Sequence, residues 1–140
     1  MATLTYVFDG DTIEVSMGDK KESVRFLGID APEMGHDGSR NECGAYDATQ
    51  ELRSLIPRGT TVTLIADPRS SDRDRFDRLL RYVEVDGHDV GQQLLERGLV
   101  GAWYPKSDAK PQRFESYKKL ADQARSNKIG SWERCPRLGR

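Results

Sequence analysis

Two short acidic segments constrain this chain more than any other feature of its sequence. The first is Asp9-Gly10-Asp11-Thr12, and the second, about twenty residues later, is Gly28-Ile29-Asp30-Ala31-Pro32-Glu33. Between them, alternating and β-branched residues surround a polar turn at 17–21, a pattern that predicts a β-hairpin. We expect strand pairing in which residue numbers sum to about 41, so that Asp11 lies opposite Asp30.

This pairing predicts a metal site. Directly opposed residues in an antiparallel pair have Cβ atoms roughly 4.5–5.5 Å apart, and two carboxylates at that distance repel unless a cation lies between them. Carboxylates, backbone carbonyls and water are the ligands that calcium prefers. We therefore expect Asp11 and Asp30 to bind a divalent cation. The carbonyl of Ala31 is a third candidate ligand, because a residue that precedes proline is held extended. Glu33 and Arg25 are expected beside them.

The length and composition indicate a folded, soluble protein. The chain has 140 residues, of which 36% are hydrophobic and 32% charged. We expect a single domain over residues 1–140, with a core from about 3 to 132 and a tail at 133–140. No apolar run approaches the roughly 20 residues of a membrane span. The chain leads from its first residues straight into a strand-like pattern, so we expect no signal peptide.

The net charge of −1 conceals an uneven distribution. Residues 1–52 carry 11 acids and 4 bases, whereas residues 53–140 carry 12 acids and 18 bases. Arginine supplies 15 of the 22 basic residues, and its planar guanidinium binds phosphate oxygens in pairs. An acidic first third suits a metal site and a basic remainder suits a phosphate-bearing partner. Ordinary surface charge is the alternative interpretation.

The two cysteines, Cys43 and Cys135, allow either one internal disulfide or two free thiols. We expect the disulfide, because the tail at 133–140 has little else to hold it. Closing so long a loop is worth about 4–5 kcal/mol on the chain-entropy model. If it forms, the bridge favours an oxidising, secreted or extracellular location.

The periodicity of the remaining sequence predicts a small barrel. Turn residues separate short β-branched or alternating runs, and two longer runs follow the helical spacing. Five short strands with a helix between the third and fourth predict an α+β, mostly β fold: a five-stranded oligonucleotide-binding barrel with about three helices. We expect Gly98 to be left-handed and Pro111 to lie in the first turn of the last helix. The predicted strands are 4–8, 13–15, 23–27, 60–65 and 79–85, the helices 44–56, 90–97 and 111–127, a short extended piece 99–104, and the main loops 34–43 and 67–77.

Five blocks of the sequence, in the same order, resemble the staphylococcal (micrococcal) nuclease or thermonuclease family. The similarity runs from about residue 3 to residue 132, and five ordered blocks are far more specific than the Asp-Gly-Asp-Thr segment alone. The blocks are VFDGDTI at 7–13, VRFLGIDAPE at 24–33, DRLLRYV at 77–83, LLERGLV at 94–100 and ARSNKIGSW at 124–132.

The resemblance implies a calcium-dependent phosphodiesterase that cuts DNA and RNA with little sequence preference, preferably when they are single-stranded or denatured. It also implies cleavage of the 5′ P–O bond, which leaves 3′-phosphate ends. Nothing in the sequence demands more than a monomer. Asp11, Asp30 and the Ala31 carbonyl match the metal ligands, although the family often has threonine at position 31.

The same resemblance assigns the catalytic residues. Glu33 matches the general base or the residue that positions the attacking water, and Arg25 and Arg78 match two arginines that hold the phosphate. These residue types suit the reaction, because its five-coordinate transition state concentrates negative charge on the equatorial oxygens.

Further matches imply contacts with the nucleotide. Phe76 and Tyr104 match tyrosines that flank it, and Arg75 matches a lysine that touches a terminal phosphate. Two differences from the family pattern affect this region. Phe76 lacks the usual hydroxyl, and Asp77 replaces a glycine beside Arg78, where its carboxylate is expected either to orient that arginine or to compete with the substrate.

Two other functions fit parts of the sequence. One is a non-catalytic nucleic-acid-binding or scaffold module on the same barrel, and the other is a metal-stabilised structural domain. The second leaves the arginines unexplained, and the first should have lost some of the site residues, all of which are present here. Trp103 and Trp132 are expected to be packing residues, and His36 and His88 to be exposed loop residues.

Overall fold

The computed structural model describes residues 1–35 and 40–140. Within these residues no helix is both long enough and apolar enough to cross a membrane. The strands are β1 (Ala2–Asp9), β2 (Thr12–Met17), β3 (Lys20–Phe26), β4 (Ile29–Asp30), β5 (Thr61–Ile65), β6 (Leu79–Val85), β7 (His88–Asp89) and β8 (Gly101–Ala102). The helices are α1 (Ala45–Leu55), α2 (Val90–Glu96), α3 (Phe114–Ser126) and a 3-10 helix (Gly130–Glu133).

The main sheet closes on itself. Its strands run in the order β3-β2-β1-β5-β6-β7, and a parallel pairing of β3 with β6 joins the two sides into a barrel of five strands. This architecture confirms the predicted oligonucleotide-binding barrel with three α-helices. In the closing pair, Arg25 lies opposite Leu80. Closure therefore brings Arg25 close to the start of β6, which follows directly after Arg78.

The barrel and the helices share one apolar core. Inward-facing residues alternate along β1 and β2, as the period of two predicts, and Ile13 and Val15 are fully buried. Helix α1 turns Ala48 and Leu52 toward this core, and burying such aliphatic side chains stabilises the fold by about 1.5–3 kcal/mol each. The core thereby fixes α1 against β1 beside the first acidic segment.

The β2–β3 hairpin forms, but its predicted register is wrong. Residues Met17 and Lys20 pair across a two-residue turn, because Gly18, with φ 65°, permits the tight turn that matches strand twist. Asp11 consequently lies level with Phe26, whose N–H donates to the Asp11 carbonyl at 2.9 Å, and not opposite Asp30.

Several element boundaries also differ from the predicted ones. Helix α3 begins at Phe114, because Pro111 lies in a turn before it, where its carbonyl accepts from the Phe114 N–H. The extended piece predicted at 99–104 contains only the short strand β8. Gly98 is left-handed as expected, with φ 70°. His88 is exposed as predicted but lies in β7, whereas His36 and part of the loop predicted at 34–43 lie outside the described residues.

A disulfide between Cys43 and Cys135 attaches the segment after α3 to the start of α1, as predicted. The expectation that the tail has little else to hold it is wrong. Leu138 is only 2% exposed, and Arg140 contacts the second acidic segment. Residues 135–140 therefore pack back onto the barrel.

Candidate functional site

The first acidic turn is held against α1 and the second acidic segment. A Cβ on Gly10 would lie 2.8 Å from the Cβ of Ala48 and 2.9 Å from the Cβ of Ala31. Both distances are too short for ordinary packing, so only glycine lets the turn approach this closely. The turn thereby places Asp9 and Asp11 beside the chain that carries Asp30.

Asp11 joins the two acidic segments directly. Its Oδ2 accepts a hydrogen bond of 2.7 Å from the backbone N–H of Ala31, and its Oδ1 accepts one of 2.7 Å from the Thr12 hydroxyl. The residue is 5% exposed. A buried carboxylate that accepts hydrogen bonds at both oxygens is fixed in orientation.

Arg25 lies between the two buried aspartates. Its Nη2 is 2.7 Å from Asp30 Oδ1 and 3.3 Å from Asp11 Oδ2. Its Nη1 donates to the carbonyls of Phe26 and Ile29. The structure therefore brings Asp11 and Asp30 to one cationic nitrogen by way of the turn after β3, although the hairpin register does not oppose them.

Asp9 adds a third acid to this group. Its Oδ1 accepts from the backbone N–H of Asp11 at 3.1 Å. Burial and the neighbouring charge of Asp11 raise the pKa of Asp9 to about 7. Two guanidinium groups, those of Arg25 and Arg140, thus contact the buried carboxylates, and Asp9 lies nearby as a third acid, so this acidic group binds cations.

Glu33 lies at the exposed edge of the acidic group. Its backbone N–H donates to Glu42 Oε1 at 2.7 Å, and its carbonyl accepts from the Glu42 N–H. Among the described residues, the Glu33 carboxylate takes part in no ion pair. The Glu42 contacts fix the Glu33 backbone and leave its side chain accessible to solvent.

Arg78 is positioned by the loop before β6. Its Nε donates to Asp74 Oδ2 at 2.8 Å, and its backbone N–H donates to Asp74 Oδ1 at 3.0 Å. The ring of Phe76 is 64% exposed. The guanidinium groups of Arg75 and Arg78 lie 4.9 and 5.2 Å from its centroid, so the loop presents an aromatic face between two cations.

Asp77 does not contact Arg78 through its carboxylate. The side chain is 86% exposed and its Oδ1 lies 3.7 Å from Arg73 Nη1. The backbone of Asp77 is left-handed, with φ 65°, a conformation that glycine adopts freely and that aspartate tolerates better than most residues. Asp74, and not Asp77, is the carboxylate that orients Arg78.

One cleft of about 610 Å³ is bordered by Arg25, Arg75, Phe76, Arg78 and Tyr104, and the acidic group adjoins it through Arg25. Tyr104 packs edge-on against Phe114 with 4.7 Å between ring centroids, so only part of its ring faces the cleft. Arg25 and Arg78 reach the cleft from neighbouring positions of the closing strand pair, in which Arg25 lies opposite Leu80, and Asp30 adjoins the cleft through Arg25. Prominent lining residues are Arg25, Phe76, Arg78, Trp103, Tyr104 and Arg140.

Three residues of this site, Trp103, Asp74 and Arg140, are not assigned to it from the sequence. Trp103, expected to be a packing residue, lines the cleft, and its position beside Tyr104 is the only signal of this role. Asp74 precedes Arg78 by four residues, but three other acidic residues of the same loop, Asp67, Asp72 and Asp77, look equivalent in sequence. Arg140 contacts Asp30 across 110 residues, and no local pattern indicates such a contact.

The donor set suits a hard divalent cation. Two buried carboxylates converge on a position that the structure fills with guanidinium nitrogen, and oxygen is the ligand type that calcium prefers. No group of three or more histidine, cysteine or acidic side chains in residues 1–35 and 40–140 surrounds a common metal position. Asp11 and Asp30 would therefore need backbone, water or substrate oxygens to complete a coordination shell.

Comparison with known proteins gives the relatives of this chain. The family described as staphylococcal nuclease homologue matches residues 23–134. Endonuclease YncB of Bacillus subtilis (strain 168) is 33% identical over 132 residues, which cover 94% of this chain and 61% of the relative. The SPbeta prophage-derived endonuclease YokF of the same strain is also 33% identical, over 94% of this chain and 44% of the relative.

A third relative matches over more of its own length. An uncharacterized endonuclease of Escherichia coli O157:H7 is 35% identical over 128 residues, 90% of this chain and 72% of the relative. The chain thus spans about three fifths or less of the two Bacillus proteins and nearly three quarters of the Escherichia one. Because the family match covers most of the chain, the protein belongs to the staphylococcal nuclease family.

Proposed function

We propose that this chain is a calcium-dependent endonuclease that hydrolyses DNA and RNA with little sequence preference. It cleaves the 5′ P–O bond and leaves 3′-phosphate ends. The observation that carries the proposal is that Arg25 and Arg78 line one cleft, and that Arg25 also binds two buried carboxylates, those of Asp11 and Asp30. Relatives named as endonucleases support it.

The acidic group beside the cleft would hold the metal. Asp11, Asp30 and the Ala31 carbonyl are the proposed ligands, with solvent or substrate oxygens completing the shell. When bound, calcium would supply positive charge to the phosphate and lower the cost of forming hydroxide from water.

The protein side chains hold the substrate and move the proton. Arg78, fixed by Asp74, binds a non-bridging phosphate oxygen and stabilises the charge that grows there in the transition state. Glu33 takes a proton from the attacking water, whose oxygen bonds to phosphorus as the bond to the 5′-oxygen breaks. The departing oxygen takes up a proton from solvent, which yields a 5′-hydroxyl and a 3′-phosphate.

Arg25 binds the acidic side chains in this structure, so it must release one of them to bind the phosphate. Its two terminal nitrogens are directed at Asp30, Asp11 and two backbone carbonyls. To bind a phosphate oxygen through Nη2, Arg25 would exchange one carboxylate partner for the substrate. A divalent cation between the same carboxylates would favour this exchange, because it takes over the neutralisation of their charge.

The aromatic groups of the cleft suit unpaired bases. Phe76 presents an exposed ring between Arg75 and Arg78, and Tyr104 lies across the same cleft. Stacking of a base on such a ring is worth about 1–3 kcal/mol and does not depend on base identity. We therefore propose a preference for single-stranded or denatured substrate, bound by a monomer.

The disulfide supports a place of action outside the reducing cytosol. Cys43 and Cys135 are bonded, and such bonds persist in oxidising compartments. We propose that the protein acts in a secreted or extracellular setting.

The decisive experiment compares cleavage of denatured DNA in calcium, in magnesium and in excess chelator. We expect activity in calcium, and loss of nearly all of it on chelation. Products with 5′-hydroxyl ends accept label from a polynucleotide kinase without prior phosphatase treatment, which tests the bond that is cut. Full activity in chelator would refute the metal assignment.

Variants separate catalysis from binding. Glu33→Gln and Arg78→Ala should each lower turnover by about 10²–10⁴-fold, whereas Glu133→Gln and Arg53→Ala, exposed and remote from the cleft, should leave it unchanged. A wild-type chain that binds single-stranded DNA in calcium without cutting it would favour the alternative, a non-catalytic nucleic-acid-binding module.

A further inference from the structure

Arg140 covers the proposed metal ligand Asp30. Its backbone N–H and its Nε donate to Asp30 Oδ2 at 2.7 and 3.2 Å, and its Nη2 lies 3.3 Å from Asp30 Oδ1. The same guanidinium lies 4.0 Å from the ring centroid of Trp103. One side chain therefore meets both the acidic end and an aromatic face of the cleft.

The backbone before Arg140 is built for this approach. Gly139 has φ 76°, and a Cβ there would lie 2.5 Å from the Asp30 carbonyl oxygen and 2.8 Å from Asp30 Oδ2. Any other residue would clash, so glycine is required for the chain to pass this close. The contact of Arg140 with Asp30 is thus supported by the path of the chain and not by one flexible side chain alone.

Two further contacts hold the segment of residues 135–140 in place. Leu138 is 2% exposed, and its carbonyl oxygen would lie 2.5 Å from a Cβ on Gly101. Three residues earlier, Cys135 is bonded to Cys43. The family match ends at residue 134, so residues 135–140 lie outside it.

We propose that Arg140 is an internal competitor for the divalent cation at Asp30, and that it sets the metal affinity of the site. This inference rests on the proposed metal-dependent function. Nη2 of Arg140 lies 3.3 Å from Asp30 Oδ1, the oxygen that faces Asp11 across Arg25 Nη2. A divalent cation bound to that oxygen repels the Arg140 guanidinium, because the two charges are alike and close together. Metal binding therefore displaces the Arg140 guanidinium from Asp30, while the backbone N–H of Arg140 can stay bonded to Oδ2.

The same displacement affects the substrate. Once the Arg140 guanidinium leaves Asp30, it no longer needs to lie over Trp103, and the ring becomes available for stacking by a base. Metal binding and nucleic-acid binding then both require the release of the Arg140 guanidinium, so each binds more tightly when the other is present.

Calcium binding measured by titration calorimetry tests the proposal. If Arg140 occupies Asp30 nine tenths of the time, its removal should tighten apparent calcium binding about tenfold, since the measured affinity scales with the open fraction. We expect this for Arg140→Ala and Arg140→Gln. Arg140→Lys, which keeps the charge, and Arg137→Ala, an exposed arginine of the same segment, should stay close to the wild-type affinity.

Tryptophan fluorescence supplies a second readout. Calcium should change the emission of the wild-type protein, and the Trp103→Phe variant assigns that change to Trp103 and not to Trp132. In Arg140→Ala the change should be much smaller, because the cation over the ring is already gone.

The outcomes distinguish this inference from the function on which it rests. Equal calcium affinities in the wild type and in both neutral variants would overturn the competition while leaving the metal-dependent nuclease intact. Absence of calcium binding in every variant would overturn both.

Discussion

The carboxylate of Asp74 holds Arg78 through its backbone and its side chain together. Oδ1 accepts from the Arg78 backbone N–H at 3.0 Å, Oδ2 accepts from Nε at 2.8 Å, and the Asp74 N–H donates to the Arg78 carbonyl at 2.9 Å. Burial raises the pKa of Asp74, but the hydrogen bonds from Arg78 outweigh it, and the pKa lies below its usual value. The pair therefore stays ionised under neutral and mildly acidic conditions.

Removing this support should impair the enzyme without removing the arginine. Asp74→Ala frees the guanidinium to rotate, and we expect kcat/KM to fall by about 10–100-fold, because a misplaced group loses much of its effect in the transition state. Asp77→Asn is the matched control, since the Asp77 carboxylate points away from Arg78. Steady-state kinetics that separate kcat from KM provide the check. Equal losses in the two variants would mean that kcat/KM depends on the charge of the loop and not on the orientation of Arg78.

A second buried carboxylate links the barrel to the segment before α3. Asp67 Oδ2 accepts from the Tyr82 hydroxyl at 2.6 Å and from the Gln112 N–H at 2.7 Å. Burial alone would raise the pKa of Asp67. These hydrogen bonds, together with one from the Arg69 N–H, lower the pKa by more than burial raises it, so the net shift is downward. The ionised form of Asp67 is thus the one that the fold stabilises.

The pH dependence follows from the sign of that shift. A carboxylate whose pKa is lower in the folded state contributes stability above its unfolded pKa of about 3.9, and this contribution is lost as pH falls through the folded value. We expect Asp67→Asn to lower the free energy of unfolding at pH 7 by about 1–3 kcal/mol. Its deficit relative to the wild type should shrink below pH 4. Urea denaturation at pH 7 and pH 3 measures this, and a deficit that stays constant with pH would contradict the assignment.

The sequence and the structure agree where the signal is local. Alternation along β1 and β2 predicts strands, and the structure has them. The sequence predicts that Asp11 and Asp30 meet through the hairpin register, but they approach each other through Arg25 Nη2 instead. The hairpin register is different, because the chain turns at Gly18 and Asp19, two residues earlier than a sum of about 41 requires, and the observed pairs sum to 37. Local pattern cannot separate these turns, since both leave polar residues at the tip.

Contacts between distant segments explain the other differences. Arg140 reaches Asp30 only because the disulfide and Leu138 return the chain to the barrel. Trp103 becomes a cleft residue because the backbone beside β8 pairs with the strand that carries Asp30, as the pairs Ile29↔Ala102 and Asp30↔Gly101 show. Neither relationship leaves a periodic trace in the sequence.

The disulfide should carry much of the stability of the fold. It joins residues separated by 92 positions, and loss of a crosslink over such a loop costs about 4–5 kcal/mol on the chain-entropy model. We expect the Cys43→Ser/Cys135→Ser double variant to unfold at markedly lower urea concentration than the oxidised wild type. The reduced wild type serves as the control and should behave like the variant. An unchanged midpoint would show that Leu138 and its neighbours hold the segment unaided.

Asp77 is an exposed residue whose backbone conformation, and not its side-chain contacts, should determine the effect of substitution. Asp77 has φ 65° and its side chain is 86% exposed, so substitutions there act mainly through the conformation of the chain. Alanine in the left-handed region costs about 1 kcal/mol more than a residue that tolerates it. We expect Asp77→Ala to lose about that much stability, while Asp77→Asn and Asp77→Gly stay within about 0.5 kcal/mol of the wild type. Urea midpoints of the three variants test the order. If alanine matched asparagine, the left-handed conformation would not be the constraint at this position, and the glycine of the family pattern would need another explanation.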